Sequence, residues 1–587
     1  MKNNTLGLLS FVFVIYVFSS CAYTTKDVNP RKMVLLDFDW YFHPGEIENG
    51  QSTNLDTKGW RMVDLPHDWS IEDIEGKHSP FDSLSIGGID YGYLKGGTAW
   101  YRKKIAISDS LRGKKISVYF EGVYMNSDVW INGNHLGNHP YGYTGFEYDI
   151  TQYLNFGHDN ILAVEVKNQG KTSRWYPGSG IYRHVWLKIT GAEHAATWGT
   201  FITTPEVTKS FAKVVVQSKI VNEQNNNSKL LITTKILNSD GHEVSSTQTN
   251  QLVSAHSGNT FKQNLVVKEP CLWSVESLYL YTAVTEISSD GVLKDKVETT
   301  FGIRTLNFST EGFLLNGEKV LLKGGCMHHD NGPLGSADYD RAEERRVELM
   351  KANGFNAIRC SHNPPSTAFL NACDKLGMLV IDESFDCWRQ AKNPQDYHLY
   401  FDNWWKKDIE SMVLRDRNHP SVIMWSIGNE IPETKNSEEV AISKMLSDYV
   451  QTLDTTRPVT SALVSITPKK DALIETLGVA GYNYAVGSGS RQGELIPADH
   501  KRVPDRIIYN SESFPLEAFS AWMDVLDNSY VIGDFVWTGF DYLGEASIGW
   551  LGHPTNISYY PWNLAFCGDI DICGFKRPQS YYRDVLW

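Results

Sequence analysis

Two glutamates, Glu430 closing "SVIMWSIGNE" and Glu512 within "RIIYNSES", each stand at the end of an apolar run of the kind that forms a buried strand. A strand needs no carboxylate at its end, and a single glutamate there most often forms a structural ion pair. Two of them across one cleft can cleave a glycosidic bond. One carboxyl protonates the departing oxygen, and the other attacks the anomeric carbon or activates a water. That Asn429 precedes the first strengthens this reading.

The surrounding elements must bring both glutamates to one face. After Gly302 the sequence alternates strand, loop and helix. "VLLKGGC" precedes the helical "DRAEERRVELMKANG", "FNAIRCS" precedes "STAFLNACDKLG", "MLVIDES" precedes "NWWKKDIESMVLRDR", and "SVIMWSIGNE" precedes "SEEVAISKMLSDYVQTLD". Such a succession predicts parallel strands joined by right-handed crossovers. "PVTSAL", "LGVAGYNY", "RIIYNSES" and "VIGDFVWTGFDY" bring the strand count to eight, which favours a closed (β/α)8 TIM barrel over residues 303–587. No GxGxxG turn supports a dinucleotide fold. Chemistry in such a barrel lies at the C-terminal strand ends, and the two glutamates end strands four and seven. Upstream, residues 33–190 are short alternating stretches such as "KISVYFEGV" and "NILAVEVKN" broken by Gly, Asn and Asp turns, which predicts a β-sandwich. Residues 191–302, with "AKVVVQSKIVN" and "KLLITTKILN", read as an immunoglobulin-like β-sandwich acting as a spacer.

A chain of 587 residues with 41% hydrophobic and 21% charged content is long and apolar enough for several folded domains. A net charge of −14 without any basic block argues against nucleic acid as a partner. The aromatic load, 18 Trp, 29 Tyr and 25 Phe, suits stacking on the apolar faces of sugars. Residues 1–20 read as a signal peptide: "MKNN" carries a positive charge, "TLGLLSFVFVIYVF" is apolar but short for a bilayer span, and "SSC" follows. Cys21 there resembles a lipobox cysteine. An exported chain is expected, periplasmic or at the cell surface, lipid-anchored at Cys21 with residues 21–32 as a linker. The other seven cysteines form neither a disulfide framework nor a CxxC metal pair, and read mostly as buried thiols.

Seven stretches stand in order at the expected strand ends: "GGCMHHDNGPLG", "MKANGFNAIRCSHNPPS", "LVIDES", "DRNHPSVIMWSIGNE", "GYNY", "YNSES" and "GDFVWTGFDY". With "GTAWYRKKI", "FEGVYMNSDVWINGNHLGNHPYGYTGF" and "SRWYPGSGIYRHVWL" upstream, the sequence from about Asp37 to Trp587 resembles glycoside hydrolase family 2, the family of β-galactosidases, β-glucuronidases and β-mannosidases. The resemblance implies an N-terminal sugar-binding β jelly-roll, the immunoglobulin-like sandwich and the catalytic barrel. It makes Glu430 the general acid/base and Glu512 the nucleophile of a retaining double displacement. It also implies that Asn429 hydrogen-bonds the sugar 2-hydroxyl, that His362 and Tyr484 hold the sugar and orient the nucleophile, and that Arg359 pairs with a carboxylate beneath the site. Trp537 would form the floor under the sugar, and His329 a further contact, with His328 as its rival. The mechanism asks Glu430 to keep a proton near neutral pH, through burial and the nearby charge, while Glu512 stays ionised.

The sequence also departs from the family pattern. Where some members hold a divalent cation through Glu and His, this chain has Cys387 and Arg389, so no catalytic metal and no other cofactor is expected. The Asn-x-Lys by which family glucuronidases recognise a sugar carboxylate is absent from "DIDICGFKRP", and "SRWYPGSGIYR" is similar to a galactosidase-type insertion. The expected function is a retaining, exo-acting β-glycoside hydrolase, foremost a β-galactosidase. A β-glucuronidase or β-mannosidase, and a non-catalytic carbohydrate-binding lipoprotein, are the alternatives. The expected partner is a β-linked oligosaccharide or glycoside, with the membrane touched only through a lipid anchor and an oligomer left open. "PQSYYRDVLW" reads as the last barrel helix; since family members often continue into further β domains, the chain is consistent with a shortened form.

Overall fold

The run "VIMWSIGN" forms a strand, Val422–Asn429, buried along its whole length. A strand with no polar face needs cover on both sides, which a parallel barrel wrapped in helices supplies. In the computed structural model, which describes residues 29–74, 76–432, 436–485, 495–549 and 560–587, this strand is the fourth of eight in a closed barrel. The others are Leu322–Met327, Ala357–Cys360, Leu379–Glu383, Val459–Leu463, Val479–Asn483, Ile508–Ser513 and Val531–Val536, numbered here in chain order. Each pairs in parallel with the next, and the eighth returns to the first through Leu322 opposite Gly533. All eight apolar runs read from the sequence are barrel strands. Helices Asp340–Ala352, Thr367–Leu376, Phe401–Asp416 and Asn436–Leu453 follow the first four. The second of these starts and stops on local signals: the Ser366 side chain accepts from Phe369 N, and Gly377 closes the helix at φ 70°. The leader and Cys21 lie outside the described residues.

The N-terminal β domain packs a four-stranded sheet against a six-stranded one, over a core that includes Trp40, Phe42, Val118 and Val164. A three-stranded and a four-stranded antiparallel sheet between Glu193 and Phe301 form the middle domain. Trp273 of the middle domain donates from Nε1 to Asp374 O (2.9 Å) on the barrel's helical side, and Arg304 donates to Pro420 O (2.6 Å) and Val422 O (2.8 Å).

The N-terminal domain instead leans over the barrel mouth. Its buried Arg183 donates to Asp338 (2.6 Å) and Pro364 O (3.0 Å), while Asn393 donates to Ser173 O (2.8 Å). Gly178, in the "PGSG" turn, has φ 71°, and a Cβ there would lie 1.7 Å from Ser336 Oγ. Only glycine lets this loop approach the barrel so closely. Five of the seven described cysteines are buried, whereas Cys271 and Cys573 are exposed.

Candidate active site

Strand pairing breaks just before the mouth. Register shifts fall between Ser426 and Asn429 on strand four, Tyr482 and Asn483 on strand six, and Asn510 and Ser513 on strand seven. A bulge re-aims the side chains that follow it. Immediately beyond, Glu430 and Tyr484 have φ of 41° and 52°. The left-handed region costs a non-glycine residue about 1–2 kcal/mol. Both residues are held there by backbone bonds, Glu430 N to Ala462 O (2.8 Å) and Tyr484 N to Glu512 O (2.7 Å). Strain of this kind collects at functional sites.

Arg359, fully buried on strand two, organises the floor. It donates to Glu383 through Nε (2.8 Å) and Nη2 (2.9 Å), to Glu512 Oε1 through Nη1 (2.8 Å), and to Asn429 Oδ1 (2.9 Å). Glu383 also accepts from Ser426 Oγ (2.7 Å) and lies 2.8 Å from His362 Nδ1. Burial holds the His362 imidazole well below its usual pKa, so the ring is neutral. A proton on Nδ1 then serves Glu383 and leaves Nε2 facing Asn429 Nδ2 at 3.4 Å. The His362 ring lies parallel to Trp537, centroids 5.2 Å apart. Asn483 Nδ2 donates to Glu430 Oε1 (2.9 Å), and the Tyr484 hydroxyl bonds the Glu512 carboxyl. A cavity of about 650 Å³ opens over this floor, and Asn429, Glu430, Glu512, His362, Tyr484 and Trp537 all line it.

His329 does not join them, which corrects its expected place. Its ring sits against Tyr143 and Tyr182 of the N-terminal domain, with Nε2 donating to Pro177 O (3.1 Å). His328 takes the other direction and packs on Trp537, His362 and Tyr542. Cys387 is buried, and Arg389 pairs with Asp402 and Glu438 away from the cavity.

Burial dominates the electrostatics of this floor. Burial pushes the Glu512 carboxyl up to about 7; Arg359 and Tyr484 oppose the shift, and the charge of Glu430 adds to it. Glu383 is raised to about 7 for the same first reason. Desolvation acts on whichever carboxylate lies deepest, and Glu512 is 3% exposed.

Comparison with known proteins places this architecture. Residues 306–485 match the model described as glycosyl hydrolases family 2, TIM barrel domain; residues 199–304 match glycosyl hydrolases family 2, and residues 90–191 its sugar binding domain. The chain belongs to glycosyl hydrolases family 2. It is 36% identical to the β-galactosidase BoGH2A of Bacteroides ovatus, over 95% of this chain and 72% of that one. It is 26% identical to a β-glucuronidase of Bacteroides fragilis, over 92% and 80%. A relative in Formosa agariphila, 35% identical across the whole chain, is longer, and this chain spans 59% of it. The crystal structure of a family 2 member from Bacteroides cellulosilyticus is similar at a TM-score of 0.92 and 50% identity, covering 94% of this chain and 71% of that one.

Within this family 2 site stand residues that the sequence reading missed. Arg174 reaches in from the N-terminal domain, donating to Asp386 through Nε (2.9 Å) and Nη2 (2.8 Å) and to Glu545 through Nη1 (3.3 Å). Asp386 also accepts from Lys392 Nζ (2.7 Å) and Asn429 Nδ2 (3.0 Å); burial would raise its pKa, but the charges of Arg174 and Lys392 outweigh it and hold the carboxyl well below the usual carboxylate range. Asp386 lies three residues past Glu383 in "ESFD", a strand-end carboxylate that could have been found. Arg174 gave only a motif, "SRWYPGSGIYR", because no local pattern says which loop residue enters another domain's cavity.

Proposed function

We propose that this protein is a retaining, exo-acting β-glycoside hydrolase whose preferred glycone is a neutral sugar, β-galactose before others. In the first step Glu512 attacks the anomeric carbon as Glu430 gives its proton to the departing oxygen. The resulting ester carries no charge, so Glu430 can ionise without a like charge opposite and take a proton from the incoming water. Arg359 positions Glu512 and, through Asn429, the group that would meet the sugar 2-hydroxyl.

The observation that supports a neutral sugar is the pairing of charge around the cavity. Among the described lining residues the two cations are Arg174 and Arg577, and both are already engaged: Arg174 by Asp386 and Glu545, Arg577 by Asp541. Among the described lining residues, a uronate carboxylate would meet Glu430, Glu512 and Glu545 with no uncommitted arginine to offset them. The relative named a β-galactosidase supports galactose, while the one named a β-glucuronidase keeps the uronate as the second reading. Purified protein tested against aryl β-galactoside, glucuronide, mannoside and glucoside should favour the galactoside, with NMR showing the β-hemiacetal as the first product. An α product would overturn retention, and a preferred glucuronide would overturn the neutral glycone.

Arg174→Met should lower kcat/KM by roughly 30-fold, since Asp386, which accepts from Asn429 Nδ2 (3.0 Å), would lose the guanidinium that fixes it beside the catalytic carboxyls. An unchanged thermal midpoint would separate this loss from unfolding, and a loss below threefold would deny Arg174 a part in the site. The pH dependence follows from Glu512. A nucleophile raised to about 7 is protonated, and inert, at lower pH, so kcat/KM should fall about tenfold per unit as pH drops below about 7. An acid limb near 4.5 would show that Arg359 and Tyr484 outweigh burial.

A further inference from the structure

The cavity changes character with depth. Its inner part is polar, formed by Arg174, His362, Asn429, Glu430, Glu512 and Glu545, whereas its outer wall is Phe514, Pro515, Leu516, Ile548 and Phe566. Ile548 packs in part against the barrel core, but Leu516 is 99% exposed, Phe514 46% and Phe566 39%. A single exposed leucine needs no explanation, but a contiguous apolar wall above a polar floor does. The wall comes from two directions. Phe514–Leu516 follow strand seven directly after the nucleophile, and Ile548 and Phe566 follow strand eight. Both rings are held in place. Phe514 stacks on Tyr484 with centroids 4.4 Å apart, and the Arg577 guanidinium, itself bonded to Asp541, lies 3.3 Å over the Phe566 ring.

We infer that this outer wall is the aglycone site, and that it accepts a flat apolar aglycone, an aryl or arylalkyl group, in preference to a second sugar. The inference rests on the retaining β-glycosidase reading. With the glycone bound on the polar floor, the departing group must point out of the same cavity, along the wall and past Glu430, which protonates it as the C1–O bond breaks. Apart from the Cys567 thiol, the polar side chains among the described outer lining residues are Arg577 and Gln579. The Arg577 guanidinium is pinned between Asp541 and Phe566, and the Gln579 amide already donates to Gly568 O (2.7 Å). A second sugar would press several hydroxyls against carbon with few partners among the described lining residues to receive them. An aromatic ring has no hydroxyl to strand, and it gains from offset or edge contact with Phe514 and Phe566.

Non-hydrolysable 1-thio-β-glycosides of the accepted sugar test this without the bias of leaving-group chemistry. As competitive inhibitors, the 2-phenylethyl compound should bind at least about tenfold more tightly than the methyl compound, and a thio-linked disaccharide within about twofold of methyl. Leu516→Ser, at a position too exposed to unfold the domain, and Phe514→Ser should each weaken the 2-phenylethyl compound about fivefold or more while the free monosaccharide changes by less than about twofold. A disaccharide that binds more tightly than the 2-phenylethyl compound, or variants that leave the 2-phenylethyl affinity unchanged, would overturn the inference. If wild type hydrolyses no β-glycoside at all, it is the hydrolase reading that fails. Turnover with an inhibition constant indifferent to the aglycone removes the aglycone site alone.

Discussion

Glu512→Gln is expected to lower kcat by about 10⁴-fold or more while the protein stays folded. The amide is nearly the shape of the carboxyl, so Arg359 keeps Glu383 and Asn429 as partners and the floor of the site remains. It cannot form a glycosyl ester. The raised pKa of Glu512 gives this variant a second signature. A carboxyl whose folded pKa stands above its unfolded value favours the fold only in its protonated form. That contribution is complete below the unfolded pKa, near 4.3, and is lost as pH rises through about 7. Above pH 7 the wild type therefore carries a buried charge that the amide lacks, and the variant's thermal midpoint should equal or exceed the wild type's there. Steady-state rates with an aryl glycoside and a melting curve at pH 8 check both halves. A kcat within tenfold of wild type would remove Glu512 from the nucleophile's role. A 2-deoxy-2-fluoroglycoside should trap the ester on a peptide containing Glu512 in the wild type and leave the variant unlabelled.

The barrel was legible because its signal is local. Each buried strand announces itself by an apolar run, and eight runs alternating with helices leave few architectures open. Glu430 and Glu512 were legible for the same reason, as polar residues placed where such runs stop. His329 shows the limit of that logic. Alternation fixes which way a side chain points inside a strand, but past the last paired residue, Met327, His328 and His329 part according to the shape of the loop and the neighbouring domain. Arg174 and Glu545 were out of reach because each is placed by chain folding back from another part of the molecule. The raised pKa of Glu512 was out of reach for a related reason. Sequence spacing gave its neighbours, whereas its pKa follows how deeply the folded barrel buries the carboxyl.

Glu430→Ala should separate the two chemical steps. Without an acid, a substrate with a poor leaving group, such as an alkyl glycoside, should slow by about 10²–10⁴-fold. A dinitrophenyl glycoside needs no proton on its leaving oxygen, so Glu512 should still be glycosylated by it and the ester should accumulate. The truncated side chain leaves room for a small anion beside the ester. Asn483 Nδ2, which donates to Glu430 Oε1 at 2.9 Å in the wild type, remains there to receive one. Added azide should therefore attack the glycosyl ester from the face that water would use, raising turnover and giving a β-glycosyl azide. The fall in the rate of the first step below about pH 7 belongs to Glu512 and should persist in this variant. Product analysis by NMR and a pH series with the dinitrophenyl substrate measure these outcomes. An α-azide would mean direct displacement and end the double-displacement mechanism, and no azide product with an unchanged alkyl glycoside rate would place the acid/base on another residue.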